Sequence, residues 1–364
     1  MFHSVDVLVV GAGLYGAVFA EQAKKRGKKV LVLDRRAHIA GNAFTHSVDG
    51  VMVHQYGAHI FHTSNRDVWD YMNKFTRFNN YINSPIANYK GKIYNLPFNM
   101  NTFYAMWGVS LPADAAKIID SQRGDGGDNL EEKAISLVGR DIYEYLIKGY
   151  TEKQWGRAFK ELPPHIIERL PIRYTYNNNY FNDTYQGIPV EGYTVLVEKL
   201  LDGCEIMLGT DYLQYKKRFD SAANLVIFSG AIDEYYGYKY GELAYRGLRF
   251  ETQTMDTPNF QGNAVVNYTD ADIPYTRIIE HKHFVFGSQP NTVISREYPC
   301  KWSQGDEPFY PVCDEKNMDI YSRYKSIAAK EPNVCFGGRL GTYRYLDMHH
   351  VVADALRDAH NYLK

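Results

Sequence analysis

Residues 11–16, Gly-Ala-Gly-Leu-Tyr-Gly, have the glycine spacing of a turn that binds the pyrophosphate of a dinucleotide. Gly11 permits the tight turn, Gly13 lets the backbone approach the pyrophosphate, and Gly16 lets the following helix pack on its strand. The N–H groups at the start of that helix are unpaired and stabilise anionic oxygens. Asp34 would accept hydrogen bonds from the ribose hydroxyls. The chemistry predicted here is dinucleotide binding.

A strand, a helix and a second strand must position these residues. VDVLVV at residues 5–10 and KVLVLD at residues 29–34 are short apolar runs typical of buried strands. The residues between them have the amphipathic period of a helix, so the stretch predicts a complete βαβ unit. This unit binds nicotinamide dinucleotides in some proteins and flavin dinucleotides in others, so the motif by itself does not identify the cofactor.

A second glycine-rich turn lies near the C-terminus, in GGRLGTYRYLDMH at residues 337–349. The apolar run ahead of it predicts a short buried strand, and Asp347 is a favourable N-cap for a following helix. The start of such a helix would stabilise the negative charge of a reduced flavin ring. An ordinary strand, turn and helix without a ligand is the alternative. Because the chain has no second GxGxxG motif, we expect one dinucleotide, held by both turns.

The composition argues against several classes of function. Lysine plus arginine number 41 and aspartate plus glutamate 42, so no overall charge attracts nucleic acid or an anionic membrane. The chain has no apolar run long enough to span a bilayer and no cationic segment ahead of its first apolar run. The four cysteines form no CxxC pair and have no metal-type spacing. We therefore expect a cytoplasmic protein with free thiols, without a metal site, that binds neither nucleic acid nor membrane.

The periodicity of the chain changes along its length. Residues 99–160 have helical periodicity and predict an inserted helical domain. Residues 79–98, 161–195 and 241–315 are rich in alternating Tyr, Thr, Ile and Asn, which predicts an antiparallel sheet domain that binds the substrate. Residues 1–78, 196–240 and 316–364 return to strand-and-helix patterning, and we assign them to the dinucleotide-binding domain.

Eight stretches, in order along nearly the whole chain, resemble bacterial UDP-galactopyranose mutase. They are GAGLYGAVFAEQ, YGAHIFHTSN, YTEKQWG, YNNNYF, LAYRGLRFE, YTRIIEHKHF, EPFYPV and GGRLGTYRYLDMH. The resemblance implies an α/β fold: a Rossmann-like FAD-binding domain built from discontinuous segments, an inserted helical domain with a mobile loop, and an antiparallel-sheet domain. It also implies FAD as the cofactor, active when reduced.

The family interconverts UDP-galactopyranose and UDP-galactofuranose. The resemblance implies that the reduced flavin N5 attacks the anomeric carbon, that UDP is the leaving group, and that the ring contracts through a flavin–sugar iminium. It further implies an unidentified flavin reductant, a homodimer, and a product used for cell-surface polysaccharide. Arg169 and Arg277 match the two arginines that bind the diphosphate, a role for which the planar guanidinium is suited. Without the resemblance, each would be read as a surface charge or a structural ion pair.

The resemblance assigns further residues by position. Flavin-side positions match His59, Arg246, Arg339, Asp347 and Met348. Substrate contacts match Asn83, Thr151, Trp155, Tyr180, Phe181, Tyr310 and Tyr345. His62 lies beside the flavin in the family and is our third catalytic candidate, although a histidine pair in YGAHIFHT is otherwise typical of a satisfied core. The chain departs from the family at Leu146 and Ile147, where an aromatic pair is common.

Three other functions compete with the mutase. A flavin oxidoreductase such as an amine oxidase would oxidise its substrate, and a nicotinamide enzyme would be colourless at visible wavelengths. A nucleotide-sugar binding protein without activity would bind UDP and convert nothing. The single dinucleotide motif and the full-length series of resemblances favour the mutase over the two enzymes.

Overall fold

A computed structural model describes residues 4–126, 129–162 and 172–363, so Arg169 lies outside the described residues. The strands are, in chain order, β1 Val5–Val10, β2 Val30–Leu33, β3 Thr45–Val48, β4 Val51–His54, β5 Phe61–Thr63, β6 Ile86–Tyr89, β7 Lys92–Asn95, β8 Tyr185–Gly187, β9 Glu205–Met207, β10 Ala223–Phe228, β11 Tyr245–Met255, β12 Val265–Tyr268, β13 Arg277–Glu280, β14 Thr292–Lys301, β15 Tyr310–Pro311 and β16 Val334–Phe336.

The helices surround these strands. The α-helices are α1 Leu14–Lys25, α2 Arg66–Met72, α3 Met100–Trp107, α4 Pro112–Gln122, α5 Leu130–Val138, α6 Arg140–Ile142, α7 Gly149–Trp155, α8 Gly192–Leu201, α9 Lys216–Asp220, α10 Ile232–Tyr235, α11 Glu315–Ala328, α12 Gly338–Gly341 and α13 Met348–Tyr362. A π-helical turn, Tyr143–Lys148, joins α6 to α7. Turns of 3-10 helix lie at Gly41–Ala43, Phe159–Glu161, Leu213–Tyr215 and His281–Val285.

A five-stranded parallel sheet carries the two glycine-rich turns, with the strand order β16-β10-β1-β2-β9. Its strands are short apolar runs because helices cover both faces of a parallel sheet. On one face α1 packs between α13 and α8, and its Phe19 is fully buried. In a parallel sheet the carboxyl ends of the strands share one edge. The turn after β1 and the turn after β16 therefore meet at this edge, although 320 residues separate Tyr15 from Cys335, whose side chains are in contact.

A seven-stranded sheet forms a second layer, with the order β15-β11-β14-β13-β12-β6-β7. The predicted antiparallel sheet has one parallel pairing, in which β6 runs parallel to β12 with Ile86 opposite Val266. The β6–β7 hairpin comes from an earlier part of the chain and joins the edge of the sheet formed by β11–β15. β6 can form backbone hydrogen bonds with β12 in either the parallel or the antiparallel direction, so the local sequence pattern did not specify which direction it takes.

The described part of residues 99–160 contains only helices, which share one apolar core. Phe103, Ile119, Val138 and Tyr143 are buried in that core. Leu146 and Ile147, where the chain departs from the family, are also buried among these helices. They are core residues here. The division into three domains at the boundaries given above stays a prediction.

Two further expectations concern thiols and membranes. All four cysteines are free thiols, as predicted. Within the part of the chain that the structure describes, none of the helices has the length and apolarity needed to cross a membrane.

Three histidines, of which His54 and His281 are buried and His59 is half-buried, have lowered pKa values. His54 donates its backbone N–H to His281 Nδ1 at 3.2 Å, and His281 Nε2 lies 2.7 Å from Ser295 Oγ. Burial lowers the pKa of His281 to about 3 and that of His59 to about 4, both from an ordinary 6.5. The pKa of His54 also falls well below 6.5 because the ring is buried.

We expect these histidines to reduce stability as the pH falls below 6.5. The unfolded chain then binds protons that the folded chain does not, so each histidine lowers the free energy of unfolding by up to about 1.4 kcal/mol per pH unit. Urea unfolding between pH 7 and 5 measures the slope. His281→Asn should make the slope shallower, and His360→Asn, a change of an exposed histidine, should not. Equal slopes for wild type and His281→Asn would contradict the assignment.

Candidate active site

A cavity of about 550 Å³ lies between the carboxyl edge of the parallel sheet and the seven-stranded sheet. Residues of both glycine-rich turns and of β12 and β13 line it. The predicted site residues in its wall are Gly11, Gly13, Asp34, His59, His62, Asn83, Tyr180, Phe181, Arg277, Tyr310, Arg339, Tyr345, Asp347 and Met348. The fold thus brings together most of the residues that the sequence analysis singled out.

Four predicted site residues are not in the wall of this cavity. Gly16 lies beneath the first turn. Thr151 is buried on α7, and Trp155, at the end of α7, packs against the helical core. Arg246 donates from Nε to the carbonyl of Gln154 at 3.0 Å. An arginine beside the last carbonyls of α7 stabilises the helix C-terminus, so the structure gives Arg246 a contact with the helical domain.

The first glycine-rich turn is shaped as a cradle that side chains would fill. Gly11 has φ +107°, and a Cβ there would lie 2.1 Å from Ser229 Oγ. A Cβ on Gly16 would lie 2.0 Å from the carbonyl oxygen of Gly11. Asp34 accepts hydrogen bonds from the backbone N–H groups of Ala12 at 2.8 Å and Arg36 at 2.9 Å. These contacts hold the Asp34 carboxylate in the cavity wall, where its remaining lone pairs can accept from a ribose.

The second turn closes against the first through Tyr15. A Cβ on Gly337 would lie 1.8 Å from Tyr15 Cζ, so the residue must be glycine for the turns to meet. The Tyr15 hydroxyl donates to Asp358 on α13 at 2.7 Å. Asp347 occupies the N-cap position of α13 as predicted, but its side chain makes no capping hydrogen bond. It faces the cavity together with Met348, the first residue of the helix.

A basic residue accompanies each turn. Arg36 donates to Asn42 and Glu307 and lies over the ring of Tyr56, with its guanidinium carbon 4.7 Å from the ring centroid. Arg339 is half-buried, and its NH1 donates to the carbonyl of Phe309 at 3.2 Å. Burial lowers the pKa of Arg339. A narrow glycine cradle, a helix start and two fixed cations fit a long anionic dinucleotide such as FAD.

Arg277 is the centre of the other part of the cavity. It lies on β13 directly opposite Glu297 on β14, and its Nε is 3.3 Å from Glu297 Oε1. Its NH2 donates to the Tyr150 hydroxyl at 2.6 Å. Burial by itself would lower the pKa of Arg277, but the Glu297 carboxylate together with Tyr150 and Tyr310 outweighs burial and holds the pKa well above its ordinary value. The cavity therefore contains a permanent cation in a fixed orientation.

A lysine holds the loop that leads to Arg277. Lys153 on α7 donates from Nζ to the carbonyl oxygens of Tyr268, Ile273 and Tyr275, at 2.8 to 3.1 Å. Burial lowers the pKa of Lys153 to about 8. These three bonds fix the connection between β12 and β13, and so fix the position at which Arg277 enters the cavity.

Polar atoms without partners also face the cavity. The side-chain oxygens of Asn83 and Asn267 are buried and have no hydrogen-bond partner among the described residues. Unpaired buried oxygens are costly in a protein interior, so a polar ligand near them is favoured.

The aromatic rings of Tyr310 and Tyr345 lie near each other in the cavity wall, with centroids 5.9 Å apart.

His62 belongs to a polar cluster in the cavity wall. Its Nδ1 is 2.6 Å from Asp183 Oδ2, and its ring stacks on Phe181 with centroids 3.6 Å apart. His62, Asp347 and His349 each offer a ligand atom within 4.8 Å of the other two. The structure contains no ion, and the absence of a metal stays a prediction.

Sequence analysis missed several residues of the cavity. Tyr150 directly precedes the predicted Thr151, so its place in the same motif could have indicated it. Glu297 and Asn267 gave no signal, because their positions depend on pairing between separate strands. Asp183, which contacts His62 but does not line the cavity, gave none either.

Two protein-family models match the chain. Residues 145–345, more than half of the chain, match the family model for UDP-galactopyranose mutase. Residues 9–75 match the model for an NAD(P)-binding Rossmann-like domain, which bears out the predicted dinucleotide fold.

Two relatives align over almost the whole chain. A probable UDP-galactopyranose mutase from Klebsiella pneumoniae is 41% identical over 99% of this chain and 95% of its own length. A dTDP-fucopyranose mutase from Escherichia coli is 39% identical over 98% of both chains.

Solved structures have the same fold. A crystal structure of reduced UDP-galactopyranose mutase matches with a TM-score of 0.76 at 12% identity, over 99% of this chain and 96% of that one. A putrescine oxidase double mutant matches with a TM-score of 0.56 at 10% identity, over 99% of both chains. The predicted α/β fold and the resemblance stated above are confirmed. The chain belongs to the UDP-galactopyranose mutase family, and it is an isomerase.

Proposed function

We propose that the protein interconverts UDP-galactopyranose and UDP-galactofuranose. The observation that carries the proposal is one cavity that joins both glycine-rich turns to the half-buried Arg277. A dinucleotide cofactor and the diphosphate of a nucleotide sugar can thus occupy the same cavity. The relationship to a probable UDP-galactopyranose mutase over nearly the full chain supports UDP-galactose as the substrate.

We infer that the cofactor is FAD. Gly11 and Gly13 would receive its pyrophosphate, Asp34 its ribose, and the start of α13 the flavin ring. Reduced flavin supplies a nucleophile for the anomeric carbon of the sugar. Because the interconversion returns the flavin unchanged, an external reductant is needed only to bring the enzyme into its active state.

The residues of the chain bind the leaving diphosphate. As the bond from the anomeric carbon to UDP breaks, negative charge grows on the diphosphate, and a fixed cation at Arg277 lowers the barrier. The Tyr310 and Tyr345 hydroxyls can donate to the same oxygens. We propose Arg169 as a second cation for this diphosphate. Residues 155–169 are the predicted closing loop, which would exclude water during the reaction, and residues 163–169 of it lie outside the described residues.

Purified protein tests the proposal directly. Yellow protein incubated with UDP-galactofuranose should form UDP-galactopyranose after reduction by dithionite and not before it. Substrate oxidation with peroxide would instead identify an oxidoreductase. Colourless protein would point to a nicotinamide cofactor, and UDP binding without conversion would leave only a binding protein.

A dTDP-fucose substrate is the second candidate, because a dTDP-fucopyranose mutase is nearly as similar to this chain. Parallel assays with UDP-galactofuranose and dTDP-fucofuranose decide between them by the ratio of kcat/KM. We propose UDP-galactose, and a ratio in favour of dTDP-fucose would overturn that choice. The homodimer, the cytoplasmic location and the role in polysaccharide synthesis stay predictions.

Tyr150→Phe should lower kcat/KM for UDP-galactofuranose about tenfold. The Tyr150 hydroxyl accepts a 2.6 Å hydrogen bond from Arg277, and a bond to a charged group contributes about 1.5 to 3 kcal/mol. Its loss lets the guanidinium leave the diphosphate position. Steady-state kinetics measure the effect. Tyr298→Phe, which removes an exposed hydroxyl bonded to Glu251, is the matched control and should change kcat/KM less than twofold. Equal kcat/KM values for the two variants would contradict a role of Tyr150 in positioning Arg277.

A further inference from the structure

Asp183 is the residue of the cavity region whose role the proposed function leaves open. Its Oδ2 accepts from His62 Nδ1 at 2.6 Å, and its Oδ1 accepts from Ser64 Oγ at 2.9 Å. Ser64 in turn accepts from the backbone N–H of Thr184 at 3.3 Å. Both carboxylate oxygens are therefore occupied, and the group has a single orientation toward His62.

The backbone holds these residues at fixed positions. His62 lies on β5 and Asp183 lies two residues before β8, and the two strands pair antiparallel with His62 opposite Gln186. Phe181, two residues before Asp183, covers one face of the His62 ring in nearly parallel orientation, at an interplanar angle of 10°. Stacking and the hydrogen bond together fix both the plane and the rotation of the imidazole.

The proton in the hydrogen bond between His62 and Asp183 lies on His62 Nδ1. Burial opposes ionisation of the Asp183 carboxyl, but hydrogen bonds from His62 and Ser64 outweigh burial and lower its pKa. An ionised carboxylate can only accept, so the bond requires the proton to lie on Nδ1. Nε2 of neutral His62 is then an acceptor. Nε2 has no hydrogen-bond partner among residues 4–126, 129–162 and 172–363, and the ring lines the cavity.

We infer that Asp183 is a positioning residue, which keeps the proton on His62 Nδ1 so that Nε2 can exchange a proton with a sugar hydroxyl. The inference rests on the proposed function. A change of ring size requires one sugar oxygen to lose a proton and another sugar oxygen to gain one. The hydroxyl that closes the new ring loses a proton, and the oxygen released from the old ring gains one. Over the whole interconversion His62 Nε2 can take up the proton that one oxygen loses and supply the proton that the other oxygen gains, so that the imidazole ends the reaction neutral.

The first test compares four proteins in the reduced holoenzyme. Asp183→Ala should lower kcat for UDP-galactofuranose by about 10- to 100-fold, since acid–base catalysis contributes about 10²- to 10⁴-fold and Asp183 acts through His62. KM and flavin content should change less than about threefold, because Asp183 is not among the described residues that line the cavity. Ser64→Ala removes one of the two bonds that orient Asp183 and should lower kcat less than Asp183→Ala does. Asn182→Ala, a change in the adjacent residue, should retain kcat within about threefold. EDTA in every assay excludes metal effects.

The second test observes the His62 tautomer and needs no turnover. In ¹⁵N NMR of the oxidised holoprotein, the His62 signals are those that disappear in His62→Gln. Wild type should show a protonated Nδ1 and an unprotonated Nε2, and Asp183→Ala should show a mixture of tautomers. Asp183→Asn serves if the alanine variant does not fold, since it should likewise lose the single tautomer.

The outcomes separate this inference from the proposed function. Unchanged kcat in Asp183→Ala, or an unchanged tautomer, would overturn the role of Asp183 while the mutase stands. A wild-type protein that shows the expected tautomer but converts neither nucleotide sugar would overturn the proposed function, and with it the sugar proton transfer. A fall in kcat that Ser64→Ala and Asn182→Ala share equally would show a structural role only.

Discussion

Arg277→Ala should lower kcat for UDP-galactofuranose by about 10²- to 10³-fold while the purified protein stays yellow. Removing one fixed group that stabilises charge in a transition state has effects of this size. Arg277 faces the cavity from β13, on the seven-stranded sheet, whereas the glycine-rich turns belong to the parallel sheet. Loss of the guanidinium should therefore affect the diphosphate of the substrate and spare the cofactor.

The buried Glu297 complicates this experiment and can be controlled. Without Arg277 the carboxyl has no cation partner, and an unpaired buried charge costs about 3 to 5 kcal/mol of stability. Arg277→Ala with Glu297→Gln removes that cost, so the double variant should regain thermal stability without regaining activity. Arg249→Ala removes an exposed arginine of the same sheet and should leave kcat within about twofold.

The colour of the variant decides what Arg277 binds. A colourless Arg277→Ala protein would show that this arginine serves the cofactor, and the assignment of the diphosphate would then fail. We expect the same loss of activity from Arg169→Ala, an expectation that comes from the family resemblance because Arg169 lies outside the described residues. Flavin absorbance and kcat, measured on the same samples, distinguish these results.

Gly16→Ala should yield protein that is colourless or poorly folded. A Cβ at this position would lie 2.0 Å from the carbonyl oxygen of Gly11 and 2.8 Å from Val9 Cγ1. Both neighbours are held by β1 in the centre of the parallel sheet, so the clash moves the helix start away from the turn. We expect flavin content to fall more than tenfold, because the cradle for the pyrophosphate is then displaced.

A matched glycine tests whether the effect is specific. Gly124→Ala places a methyl group in open space, since no atom lies within 4 Å of the added Cβ. It should retain full flavin content and the same thermal midpoint as the wild type. Normal flavin content in Gly16→Ala would contradict the pyrophosphate assignment of the first turn.

Local spacing accounts for much of what could be predicted. Gly11, Gly13 and Gly16 act within a single turn, and the strand, helix and strand around them form by hydrogen bonds between near neighbours. The start of α13 after Asp347 was likewise predicted from local residues. Such features need no knowledge of the remaining chain, because steric limits and unpaired N–H groups operate over a few residues.

The family resemblance also predicted site residues that the hydrophobic periodicity of the sequence does not identify. Tyr310, Tyr345 and Arg277 occur in motifs of the family and lie in the cavity wall. Trp155 and Arg246 also occur in such motifs, yet Trp155 packs on the helical core and Arg246 contacts the end of α7. A motif specifies the identity of a residue, whereas the direction of its side chain depends on the elements packed around it.

The sequence by itself determined the dinucleotide turn, the presence of a second turn and the family to which the chain belongs. Only the tertiary structure decided that Glu297 faces Arg277, that Asp183 holds His62, and that β6 runs parallel to β12. The physical reason is the distance along the chain between the residues that make each contact. Turns and helix starts are set by contacts between residues close in the chain, but each of these pairs joins residues more than 19 positions apart through the packing of separate strands.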